Sequence, residues 1–126
     1  MIFAKRVFQA AGVWGVVVII LGYVAFFFGG DDFAVYTNHP EYVHGFFLVT
    51  FAWQIAFFII ATDPVRYRLL MLAAMLEKFP FTIAVFLLYA FGAVGVPVLV
   101  IGGIDGAFGA LFSIAYIVTE RGADEE

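Results

Sequence analysis

Residues 7–28 read VFQAAGVWGVVVIILGYVAFFF, and Gln9 is the one strongly polar residue among them. A helix that crosses roughly 30 Å of hydrocarbon needs about 20 apolar residues. This stretch is therefore long enough to span a bilayer by itself. Lys5 and Arg6 precede it, as basic residues precede a secretory signal. Its apolar run is longer than a signal core, and it ends in Phe-Phe-Phe-Gly-Gly-Asp-Asp without a small-x-small cleavage site. It is read as a retained helix.

Working outward, three more stretches qualify: 44–61, 75–95 and 97–119, the third span starting anywhere between Leu69 and Phe79. Gly-Ala-Val-Gly-Val-Pro at 92–97 supplies its own breakers for a tight turn between the last two. Four spans use most of the 126 residues, which leaves a single transmembrane domain over 1–126. The expected fold class is all-α, an integral-membrane bundle of four transmembrane helices. Composition agrees: 65% of the residues are hydrophobic, 13% are charged, and the mean hydropathy is +1.07. A soluble domain of this size cannot hide so much apolar surface. A net charge of −4 argues against nucleic-acid binding, and the absence of cysteine excludes disulfides and thiol chemistry.

With four spans, all six basic residues (Lys5, Arg6, Arg66, Arg68, Lys78 and Arg121) fall on one side. The other side carries Asp31, Asp32, Glu41 and both histidines. The positive-inside rule then places both termini in the cytoplasm. In the inner loop, Asp63 is a cap and Pro64 suits a first helical position. A helix from Pro64 to about Val94 would be about 45 Å long. The Tyr67 to Leu76 stretch lying along the interface, or a kink at Pro80, would absorb the excess. Pro40 and Glu41 similarly start the second span.

Depth at 1.5 Å per residue puts Asp105 about 12 Å and Gln54 about 15 Å from the outer surface, near the midplane. The two are expected to face each other or share a polar pocket. A lone carboxylate there is costly, so Asp105 should be hydrogen-bonded and is a candidate to hold a proton. The alternative is an interhelical hydrogen bond without further duty. Gln9, Glu77, Lys78 and Ser113 fall at similar depth near the inner surface. Lys78 is expected to snorkel to headgroups. Glu77 and Lys78, being adjacent on a helix, are not expected to pair. Glu77 is expected to meet Arg6, Gln9 or Ser113.

Gly102, Gly106 and Ala110 form a small-residue ridge, and Ala11, Gly15 and Gly22 offer a matching strip. Packing of span four on span one is the expected use, with an oligomer face as the alternative. Glu41 and His44 share a helical face in a Glu-x-x-His spacing known from di-metal bundles. One copy at a helix end is a weak metal candidate, and His44 capped by Glu41 is the expected arrangement. Whether Asp31, Asp32 and His39 join them around an ion is left open. Rings at span ends, such as Tyr36, Tyr42 and Tyr116, form an aromatic belt. Trp14, Trp53, Phe57, Phe58 and Phe86 lie deeper and either pack or line a slot for a quinone, carotenoid or lipid tail.

Several phrases carry a resemblance: His-Gly at 44–45, Ala-Trp-Gln at 52–54, Asp-Pro-Val-Arg-Tyr-Arg at 63–68, Leu-Glu-Lys-Phe at 76–79, and Ile-Asp-Gly to Ala-Tyr across 104–116. They resemble the DoxX-like small bacterial four-helix membrane proteins, with Lys78–Phe79 and Asp105 as the positions that align. The resemblance implies a four-helix bundle with cytoplasmic ends, and accessory roles in quinone-linked or redox systems. No catalytic constellation, metal set or cofactor is assigned.

The leading expectation is a non-enzymatic accessory or scaffold subunit of a larger complex in the bacterial inner membrane. The alternative is a small homo-oligomeric transporter or channel with a midplane Asp105/Gln54 site. An intramembrane enzyme acting on lipid or quinone ranks last. The expected partners are the lipid bilayer and other membrane subunits or further copies of the chain, not nucleic acid.

Overall fold

A computed structural model describes residues 2–28 and 40–125, with side chains over 2–26 and 40–119. The described residues form four helices and no strand: α1 (Ile2–Phe28), α2 (Pro40–Thr62), α3 (Leu70–Ala90) and α4 (Val96–Glu125). Each is long and apolar enough to cross a membrane, the pattern of a multi-pass membrane protein. Large apolar side chains stand exposed on all four, among them Val17, Leu48, Val49, Ile83, Leu87 and Val100. A soluble monomer rarely shows such continuous apolar surface.

The chain folds as two antiparallel hairpins, α1 with α2 and α3 with α4, with α1 lying against α4. In each hairpin, residues equidistant from the turn meet. Gly12 packs on Phe58, Gly15 on Gln54 and Gly22 on Phe47. Gly102 packs on Val85, Gly106 on Thr82 and Gly109 on Phe79. The glycine ridge of α4 therefore faces α3, and Gly15 and Gly22 of the α1 strip face α2; α4 does lie against α1, but not through these glycines. Ala110 is exposed, outside the ridge contact. The physical reason is the short turn at 91–95, which brings α4 straight back along α3. A Cβ at Gly102 would lie 2.7 Å from Val85 Cγ1. Glycine there is the condition for close approach.

One core joins the hairpins at the end that carries Ile2, Thr62 and Leu70. Phe8, Phe57, Met71, Phe112 and Ala115 are fully buried there. The Phe8 and Phe112 rings stack at 4.3 Å, and Phe57 meets Phe112 edge-on at 5.1 Å. Phe57 is thus core, with Trp53 packed beside it, and Phe58 lies on Gly12. Phe86 is half-exposed. The deep rings do not assemble one slot.

The third helix starts inside the expected window and is as long as the 75–95 span, but it lies five residues earlier, and a helix running from Pro64 to Val94 does not form. Residues 64–69 are turns held mostly by bonds three residues apart, such as Leu70 N–H to Tyr67 O at 2.9 Å, and the helix begins at Leu70, not at Pro64. Asp63 caps no helix, since α3 starts after Leu69 without a side-chain cap bond; it holds the turn instead, with Arg66 N–H donating to its Oδ1 at 3.2 Å. Arg68 explains part of the departure. Its Nε donates to Tyr116 O at 3.0 Å, and its guanidinium lies 3.6 Å over the Tyr116 ring, tying the loop to α4. At the far end α3 stops at Ala90 rather than near Gly95. Gly92 has φ +77°, a left-handed conformation that glycine adopts at little cost. Gly92 N–H bonds Tyr89 O and Ala93 N–H bonds Leu88 O, a Schellman cap.

Candidate functional site

The register of the α3–α4 hairpin decides the site. Lys78 lies eight residues into α3, about 12 Å along its axis, and Asp105 nine residues into α4, about 14 Å along. Measured from opposite ends, these positions coincide near mid-depth. Lys78 is 2% exposed, and its Nζ lies 3.2 Å from Asp105 Oδ1. The same ammonium lies 3.3 Å from Glu77 Oε2. Glu77 and Asp105 are 14% and 15% exposed. Below the ammonium, the Phe57 ring of the core sits with its centroid 5.3 Å away.

Two expectations are corrected here. Lys78 does not snorkel: a carboxylate at its own depth holds it inside, and reaching the surface would break that pair. Glu77 and Lys78 do pair, because four methylenes let an ammonium fold back beside its neighbour even though adjacent Cβ atoms diverge. Glu77 accordingly does not meet Arg6, Gln9 or Ser113. Ser113 instead donates to Gly109 O at 3.0 Å, with Met75 Sδ at 3.5 Å. Gln9 lies half-buried on an outer stripe of α1. The expected inner layer thus divides into a buried ion cluster, a helix-internal hydroxyl and a surface amide.

Thr82 reinforces the hairpin one turn further along α3. Its hydroxyl oxygen lies 2.9 Å from Gly102 O and 3.1 Å from Lys78 O, so it bridges both helices. A glycine at 106 makes room for it, since a Cβ there would be 2.9 Å from Thr82 Cγ2.

Asp105 pairs with Lys78 rather than with Gln54. Gln54 is 1% exposed and belongs to the α1–α2 hairpin. Its Nε2 donates to Thr50 O at 2.9 Å, and its Oε1 rests on Gly15, where an added Cβ would be 1.7 Å away. That oxygen has no hydrogen-bond donor, and neither has Glu77 Oε2, whose contact with Lys78 is an ion pair without hydrogen-bond alignment. Buried acceptors are nearly always satisfied, and an orphan calls for a reason.

The cluster holds two carboxylates against one ammonium. If all three ionise, one negative charge is left uncompensated in apolar surroundings, an expensive state. A bound proton or cation relieves it, and Glu77 Oε2 has spare acceptor capacity for either.

At the other end of the bundle, His44 Nδ1 is hydrogen-bonded to the Tyr23 hydroxyl, and the ring stands edge-on to Tyr23 and Phe26. The sequence placed Glu41 beside His44; Tyr23, from α1, was missed. Among the described residues no three histidine or acidic side chains group as metal ligands. Asp31, Asp32 and His39 lie outside the described residues. No family model, curated protein or solved structure matches the chain.

Proposed function

We propose that the chain is a small membrane transporter or channel, working as an oligomer, that passes a proton or small charged solute by way of Glu77, Lys78 and Asp105. The observation that carries the reading is the mid-depth ion cluster with one carboxylate more than it has ammonium. Ionisable groups inside transmembrane helices are rare and mark ion paths and proton relays. The cluster contains Lys78 and Asp105, two positions of the DoxX-like phrases; membership of that group belongs to the same proposal. So does placement in the bacterial cytoplasmic membrane with both termini inside, on the distribution of Arg and Lys.

The test is reconstitution. The purified chain in liposomes should conduct protons or a small ion or solute under an imposed pH gradient or voltage. Absence of flux under every driving force across a broad solute panel overturns the proposal.

A second reading, an accessory or scaffold subunit of a redox or quinone-linked complex, is favoured by one observation. Two surface grooves, along α1 and between α1 and α2, are open to the outside and offer faces to a larger subunit. Native mass spectrometry of gently extracted protein separates the two: a stoichiometric complex with larger subunits supports this second reading, and a homo-oligomer supports the first.

A further inference from the structure

Arg6, Gln9, Ala10, Val13, Trp14 and Val17 line an open groove on α1. Their spacing runs three, one, three, one, three, which is a single face of an α-helix. The opposite face of α1 is committed to the fold: Phe8 and Ala11 lie in the core, and Gly12 and Gly15 pack on α2. The groove is ordered by polarity. Arg6, exposed, stands at its mouth; Gln9 follows one turn in; beyond them only Ala10, Val13, Trp14 and Val17 remain. From Arg6 to Val17 is eleven residues, about 16 Å along the axis, the hydrocarbon depth of one leaflet. Ala10, the smallest of these side chains, leaves room beside the half-buried Trp14.

We propose that this stripe is a binding site for one anionic phospholipid of the leaflet on the Arg6 side. The Arg6 guanidinium takes the phosphate through paired N–H donors. The Gln9 amide donates to an ester carbonyl one turn deeper. An acyl chain lies along Ala10 and Val13 against Trp14. The proposal rests on membrane insertion but not on transport at the ion cluster.

The two tryptophans make the test clean. The Trp53→Phe variant leaves Trp14 as the reporter, and Trp14→Phe leaves Trp53. Each is reconstituted in phosphatidylcholine containing a minor fraction of mid-chain brominated phosphatidylglycerol, or the same fraction of brominated phosphatidylcholine. Trp14 should be quenched with an apparent preference of about fivefold for the anionic lipid. Arg6→Gln should bring that preference to parity, and Arg66→Gln, in the connection between α2 and α3 at this end of the bundle, should leave it intact. Trp53 should show no preference. Equal quenching of Trp14 by both lipids, or loss of preference in Arg66→Gln as much as in Arg6→Gln, overturns the site. If Trp53 is quenched and Trp14 is not, a second copy or other protein covers the stripe, and the proposal fails. If neither is quenched, membrane insertion itself fails.

Discussion

Lys78 shows how little a residue's type says about its duty. An isolated lysine near a helix end reads as a headgroup anchor, and its sequence neighbour Glu77 reads as unable to reach it. The fold instead closes Lys78 between two carboxylates at 3.2 and 3.3 Å. Replacing it by methionine removes the ammonium from above the Phe57 ring and leaves both acids without a counter-charge. Removing one partner of a buried pair costs about 3 kcal/mol or more. Lys78→Met should therefore lower the unfolding midpoint in mixed detergent clearly, and adding Asp105→Leu to it should recover part of the loss. If the double variant is less stable than Lys78→Met, the pair is not coupled as described. Gln54 offers a second local test. Its Oε1 occupies the place of a Gly15 Cβ. Gly15→Ala must push the amide aside, at about 1–3 kcal/mol. Gly15→Ala with Gln54→Ala should be less damaging than Gly15→Ala in the wild-type background.

Among the elements, the α3–α4 hairpin sets the site because its turn sets its register. The breakers at 92–97 were readable, but the exact stop at Ala90 followed from the left-handed Gly92, and a shift of register there moves Asp105 relative to Lys78. Gly92→Ala places a Cβ-bearing residue at φ +77° and should cost about 1 kcal/mol, with function falling along with stability. If Gly92→Ala is as stable as the wild type, the cap is not what ends the helix. The small residues of α4 were legible as a packing face, and their partner was not. Small-xxx-small spacing says that a backbone can come close, and only the turn length says whose. Reading each hairpin from its turn outward would have found the cluster. Residues about equidistant from 92–95 meet, which brings Thr82 to Gly102 and Lys78 to Asp105. The Tyr23–His44 pair follows the same rule in the first hairpin, across an inter-helix segment too long to fix the register by inspection.

For the whole molecule, four helices long and apolar enough to cross a membrane, and the all-helical class, were legible because hydrocarbon thickness and backbone satisfaction leave few options. The site was less legible, because depth alone places residues on planes and not on facing sides. Asp105 was found by depth; Gln54 shares its level and faces a different helix. The arrangement has a topological consequence. With four crossings, reporters fused at either terminus should lie on one side of the membrane, and a tag inserted at Val94 on the other. A terminal reporter opposite its counterpart would remove one span from the account.

The central claim is that Glu77, Lys78 and Asp105 work on a moving charge rather than merely clamp α3 to α4. The most direct measurement is flux and unfolding midpoint for Asp105→Asn and wild type, in the same proteoliposome preparation. Asparagine keeps the size and a hydrogen-bonding oxygen for Lys78, so the helices should stay paired. Flux should be lost while the midpoint stays close to wild type. Undiminished flux in Asp105→Asn, with the protein folded, contradicts it.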